Sequence, residues 1–310
     1  MKLNFSNIKV LVIGDFMLDK YTYGDSYRMS PEFPVPVILQ DKVCYYAGGA
    51  GNVVQNLLSL KAKVSCMGII GDDLEGEILS NILQKKGANT KNLKVASNNI
   101  TTLKHRVISK GKQCLRIDSE KKYKGINNLF STDFIKSKIG EFDIIILSDY
   151  NKGIIEKPFF NYKDYNVTVD PKKSDFSFYK NANIITPNIH ELQSTTKVKL
   201  KSKKLIIDNC RLIIAKHNIN HVVVKRGRLG MIVVSRNGET SEIQGLNVRD
   251  ADVTGAGDTV ISVLSLAMQQ TGDIKFSAKI ANLAASMVVE KAATSTISSE
   301  EISSRISEFL

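Results

Sequence analysis

Tryptophan is absent from this 310-residue chain, and there are only four cysteines and six prolines. Cys44, Cys66, Cys114 and Cys210 stand far apart, without the paired spacing of a zinc or redox site. They read as reduced, mostly buried thiols of a cytoplasmic protein. No apolar run is long enough to cross a bilayer. The opening run Val10-Leu11-Val12-Ile13, cut off by Gly14-Asp15, is too short for a signal-peptide core and predicts a buried first strand. His105, His190, His217 and His221 have no metal-ligand spacing and receive no role. There is also no basic arm with interleaved aromatics, which limits what a net charge of +12 can mean. Neither nucleic acid nor a membrane surface is an expected partner. Most of the charge reads as solvated surface, with a small share for a site that takes a phosphorylated, anionic substrate.

What is present is an ordinary globular balance, 43% hydrophobic and 24% charged, in a chain long enough to bury a substantial core. Short apolar runs alternate with amphipathic stretches. Strands are expected at Val10–Ile13, Val64–Ile70, Ile144–Leu147, Val167–Val169, Ile184–Ile185, His221–Val224 and Met231–Val234. Helices are expected at Asn52–Leu60, Glu75–Lys86, Val260–Met268 and Ala278–Val289. This alternation predicts an α/β fold with a mostly parallel central sheet flanked by helices. Two segments break the rhythm: 20–41, which holds Pro31, Pro34 and Pro36, and 100–118, with a turn at Ser109-Lys110-Gly111-Lys112. They read as a small antiparallel β-lid on a single domain spanning residues 1–310.

The strongest chemical signal is Asp252-Val253-Thr254-Gly255-Ala256-Gly257-Asp258, followed directly by an apolar helix. Gly255 and Gly257 permit a tight turn, and a glycine turn feeding a helix start aims backbone N–H groups and the positive dipole end at an anion. An acid there, Asp258, can take a proton from a hydroxyl while the amides of Gly255, Ala256 and Gly257 hold charge on a transferred phosphoryl group. At the reference carboxylate pKa, no tuning of this base is expected. A lone Gly-x-Gly-Asp would more often be a helix cap, but the full motif is more specific, and no Walker A Gly-Lys-Ser/Thr is present.

A second signal, Thr186-Pro187-Asn188-Ile189-His190-Glu191, follows a strand. Asn188 and Glu191 could form a capping box or could serve a nucleotide, Glu191 ordering magnesium through water. Beside the first motif the second reading is favoured. Gly48-Gly49-Ala50-Gly51-Asn52 is either a loop-to-helix junction or a sugar contact. Asp15 and Asp19, and the stretch Ser148-Asp149-Tyr150-Asn151-Lys152-Gly153, follow strands at the edge where α/β sheets bind ligands. Lys104, Arg106 and Arg116 in the lid, with Lys152 and Lys172, read either as an ordinary charged surface or as candidates for a substrate phosphate.

Together these motifs resemble the ribokinase-like (PfkB) carbohydrate kinases from about Val10 to Val289. Gly14–Tyr21, Ser30–Val37, Leu147–Gly153, Val169–Lys172 with Asp175-Phe176, and Thr186–Glu191 are most similar to the D-glycero-β-D-manno-heptose 7-phosphate kinases of that family. The resemblance implies transfer of the ATP γ-phosphate to the anomeric hydroxyl of the heptose phosphate, with ATP and Mg2+ required. It implies Asp258 as base and residues 255 to 258 as anion hole. Asn188 and Glu191 would stand at the nucleotide–magnesium end, Lys225 and Gly227 at the ATP phosphates or ribose, and Asn282 at the adenine. Asp15, Asp19, Gly48, Gly49 and Asn52 would hold the sugar. The lid of such kinases often forms a dimer contact, so a homodimer is expected. Gly51 and Lys225-Arg226-Gly227 depart from the usual pattern. Many relatives carry an adenylyltransferase domain; ending at Leu310 without its His-x-Gly-His motif, this chain is expected to leave that second reaction to another protein. The alternatives are a kinase of the same family acting on another sugar or sugar phosphate and, less favoured, a non-catalytic sugar-binding regulator.

Overall fold

The computed structural model describes residues 3–123, 137–156, 160–246, 255–291 and 295–309; Asp252-Val253-Thr254 of the glycine motif lie outside them. The central sheet contains β1 (Lys9–Gly14), β4 (Lys63–Gly71), β5 (Asn89–Ala96), β8 (Ile144–Ser148), β9 (Val167–Asp170), β10 (Ile184–Ile185), β11 (His221–Lys225), β12 (Met231–Ser235) and β13 (Thr240–Ile243). Its order is β13-β12-β11-β10-β9-β8-β1-β4-β5. Pairing is parallel from β5 through β11 and antiparallel among β11, β12 and β13.

The strand sequences explain this. In β1, Val10 and Val12 enter one core cluster while Leu11 and Ile13 enter another, because alternate side chains leave opposite faces of the pleat. A strand buried on both faces has no polar positions, hence the unbroken apolar run. One face packs against α1 (Ala50–Ser59), α2 (Leu74–Lys85), α5 (Ala256–Thr271) and α6 (Ile274–Val289), through residues such as Leu57, Leu79, Ile261 and Leu283. The other receives Leu192 from α3 (Ile189–Thr196) and Ile206, Cys210 and Ile213 from α4 (Lys203–His217). α7 (Ser299–Phe309) adds Ile302 and Ile306 to the first face.

The lid is a second sheet, in the order β3-β2-β6-β7, of β2 (Phe16–Met29), β3 (Pro36–Gly49), β6 (Thr102–Ser109) and β7 (Lys112–Ser119). Its outer pairs are antiparallel and its central β2–β6 pair is parallel. The β6–β7 turn falls at Lys110 and Gly111, with φ of 49° and 75°, the left-handed geometry a two-residue hairpin favours. β2 and β3 extend past 20–41 toward the core, since Phe16, Met17 and Leu18 are buried there before the strand emerges as lid. Of the thiols, Cys66 and Cys210 are buried, whereas Cys44 is half-buried and Cys114 exposed, correcting the expectation of mostly buried cysteines. No helix among the described residues is long and apolar enough to cross a membrane.

Candidate active site

The carboxyl ends of β1, β8, β9, β10 and β11 meet the start of α5. Gly255 caps α5 in the left-handed region, φ 79°, and a Cβ there would stand 2.7 Å from Asn52 Nδ2. Only glycine fits both demands. Asp258 follows in the first turn of α5, buried with 6% exposure. The Asn52 amide donates to its Oδ2 at 2.7 Å and the Tyr150 hydroxyl donates to its Oδ1 at 2.9 Å. Burial pushes the carboxyl from 3.8 up to about 6, opposed by the Asn52 bond, then raised further by nearby Asp170 and again opposed by Tyr150 and Lys225. The expectation of an untuned base is therefore corrected, although at pH 7 the ionised form still leads by roughly ten to one.

Gly255, Ala256, Gly257 and Asp258 border a cleft of about 1300 Å3. The same cleft contains Asn188, Glu191, Lys225, Gly227 and Asn282, so the expected nucleotide residues are brought together. First-turn amides of a helix have no intrahelical partner and are available to phosphate oxygens. Lys225 Nζ is close enough that a Cβ on Gly257 would meet it at 3.4 Å, and it pairs with Asp170. Asp170 also accepts from Thr186 Oγ1 at 3.0 Å. Gly227, φ 58°, opens the turn at the cleft wall, and Asn282 donates to the Gln244 carbonyl at 2.9 Å. Asn188 and Glu191 do form the full capping box of α3: Asn188 Oδ1 accepts from the Glu191 amide at 2.9 Å and Glu191 Oε2 from the Asn188 amide at 2.7 Å. Glu191 Oε1 takes Lys172 Nζ at 2.8 Å. Among the described residues no three His, Cys, Asp or Glu side chains are grouped to hold a metal. This donor set suits Mg2+ carried chiefly by nucleotide phosphates with one carboxylate in support.

Asp149 also borders the cleft, whereas Asp15, Asp19, Gly48, Gly49, Asn52, Arg106, Arg116 and Lys152 do not. Asp15 accepts from the amides of Tyr150, Lys152 and Ile154 at 2.7, 3.1 and 3.3 Å. It thereby holds the loop that carries Tyr150. Burial, then the nearby charge of Asp149, pushes its carboxyl up to about 6. Asp149 accepts from the Asn151 amide at 2.6 Å and the Tyr179 hydroxyl at 2.7 Å. Gly48 leaves space for the Asp19 carboxylate, which a Cβ would meet at 2.2 Å. Gly49, φ 56°, caps α1, whose first residues include Asn52.

Four of the five candidate cations are engaged with carboxylates. Arg106 pairs with Asp19, Arg116 grips Asp118 through Nε and Nη2 at 2.7 and 2.6 Å, Lys152 pairs with Glu120, and Lys172 with Glu191. Sequence reading gave no separate role to Tyr150 or Asp170. Asp170 ends β9 just as Ser148 ends β8, so the strand-end rule that picked out Asp15 and Asp149 would have found it.

The family described as pfkB family carbohydrate kinase matches residues 7–302 of this chain. The bifunctional protein HldE of Helicobacter pylori strain J99 is 38% identical over 306 residues, covering 95% of this chain and 65% of its own length. The bifunctional protein HldE of Desulfatibacillum aliphaticivorans is 36% identical over 311 residues, covering 97% of this chain and 64% of its own length. The chain thus spans just under two thirds of each. Arabidopsis thaliana ribokinase complexed with ribose and ATP superposes with a TM-score of 0.74 at 16% identity, over 97% of this chain and 98% of that one, a likeness of fold.

Proposed function

We propose, from the premise that this chain belongs to the pfkB family of ATP-dependent carbohydrate kinases, that it phosphorylates D-glycero-β-D-manno-heptose 7-phosphate at the anomeric hydroxyl. The product is the 1,7-bisphosphate, a precursor for ADP-heptose and lipopolysaccharide core. The observation that carries the chemistry is the buried Asp258 at the start of α5, fixed by Asn52 and Tyr150. The heptose is supported by the five segments similar to heptose 7-phosphate kinases, and by identities of 38% and 36% to the HldE proteins over nearly all of this chain.

Asp258 accepts the proton of the attacking hydroxyl as that oxygen bonds to the γ-phosphorus, and the bond to the β-phosphate oxygen breaks to release ADP. The amides at Gly255, Ala256 and Gly257, with Lys225, hold the charge on the moving phosphoryl group. Gly227 and Asn282 seat the nucleotide. Asn188 and Glu191 stand at its phosphate end, where Mg2+, when bound, neutralises phosphate charge. Asn52, Asp19 with Arg106, Gly48 and Gly49 shape the sugar side, and Asp15 and Asp149 hold its loop. The chain acts as one kinase unit with a lid, in the cytoplasm, paired with a second copy through the lid's outer face.

A panel of free and phosphorylated sugars, read by ADP release, tests the substrate. The heptose 7-phosphate is expected to be turned over with the highest kcat/KM. Turnover of fructose 6-phosphate or ribose, with none of the heptose phosphate, would contradict the heptose and leave the kinase.

A further inference from the structure

One face of the lid carries an unbalanced charge. Lys104 on β6 lies in register between Asp19 on β2 and Asp118 on β7, so the three side chains share that face. Arg106 and Arg116, each two residues along its own strand, point the same way. Both carboxylates are taken by the arginines, Asp19 by Arg106 and Asp118 by Arg116. Three cations against two carboxylates leave one positive charge over, and it belongs to Lys104. Among the described residues its ammonium makes no ion pair. It stands 5.2 Å from the centre of the Tyr150 ring, and the hydroxyl of that ring donates to Asp258. Burial lowers the Lys104 ammonium from its ordinary value, opposed by the charges of Asp19 and Asp118 and reinforced by Arg116 and Arg106.

A cation over an aromatic face is compensated less fully than one against an oxyanion. One tyrosine ring away from the catalytic carboxylate, the separation is of the order of a sugar ring and its side arm. An anion arriving there would meet Lys104, with Arg106 and Arg116 prevented from swinging in by their own carboxylates. We propose that Lys104 is the specificity-determining residue that holds the phosphate the substrate already carries, at the end of the sugar away from the reacting hydroxyl. This rests on the reading of the substrate as a sugar phosphate. It singles out Lys104 from Arg106, Arg116, Lys152 and Lys172, each of which is tied to a carboxylate.

The test compares full-length wild type with Lys104→Gln and Lys104→Arg. KM is measured for D-glycero-β-D-manno-heptose 7-phosphate and for ATP, and the same heptose without its phosphate is used as a competitor. Losing one charge-assisted contact to phosphate is expected to raise the sugar-phosphate KM about 10- to 100-fold in Lys104→Gln. KM for ATP should stay within about twofold, the preference for the phosphorylated sugar should collapse, and Lys104→Arg should recover much of it. Unchanged preference in Lys104→Gln overturns the inference. So does an equal loss on both sugars or a raised ATP KM, which would place Lys104 at the transferred phosphate or in the fold. Wild type that turns over no phosphorylated sugar overturns the substrate reading itself, a result distinct from all of these.

Discussion

Asp258 is held between two donors that come from distant parts of the chain, Asn52 lying 206 residues away and Tyr150 lying 108 residues away. Each donates to the ionised carboxylate and so favours the charged form, against a burial cost that carries the group up to about 6. Tyr150→Phe removes one of these bonds and leaves the ring under Lys104 in place. The acid limb of kcat/KM, expected near pH 6 in wild type, should then move upward by about one pH unit, since a hydrogen bond to a charged group contributes about 1.5 kcal/mol or more. An unmoved limb would remove Tyr150 from the base's support. Asp258 and Asn52 were legible as residues because each sits in a glycine-rich motif. Tyr150 was not, because its role exists only once β8 and α5 lie side by side.

At the scale of elements, the buried parallel strands were legible from apolar runs, which follow from burial on both faces. β5 and β13 were not, for their patterns alternate weakly and carry polar residues such as Asn89, Lys91 and Glu242. α4 was hidden by its lysines and by an apolar face interrupted at Asn209. Asn220 donates to Asn183, Asn183 to Asn166, and Asn166 to Gln269, at 3.0, 3.0 and 2.8 Å, forming a ladder across the strand starts that no motif announces. The lid's prolines drew attention to the β2–β3 turn and understated the strands on either side. The lid also exposes Tyr27, Phe33, Leu115 and Ile117 at 74%, 71%, 52% and 47%. So much exposed apolar surface on one small sheet fits a docking face for a second copy. Sedimentation is expected to give a dimer for wild type and a monomer for Leu115→Glu with Ile117→Glu; a monomeric wild type contradicts the lid contact.

Over the whole molecule, the sheet's carboxyl edge brings Asp149, Asp170, Asn188 and Lys225 to one cleft with the start of α5. Legible beforehand was that the glycine loop and the Asn188–Glu191 segment lie close together, and they share a cleft with Asp149, whereas the strand-end acids Asp15 and Asp19 do not border it. Not legible was how the acids divide their work. Asp15 and Asp149 hold the 149–154 loop, and Asp258 is tuned by burial. That tuning has a thermodynamic sign. Asp258 has a folded pKa near 6 and an unfolded one near 3.8, so its contribution to stability is full below about pH 4 and lost as pH rises through 6. At pH 7 the native state therefore bears the cost of a buried charge. Asp258→Asn removes the charge together with the base. Measured at pH 7, its kcat for the heptose phosphate is expected to fall at least about 10²-fold while ATP binding persists and Tm stays level or rises. A kcat equal to wild type would contradict the role of Asp258 as the base.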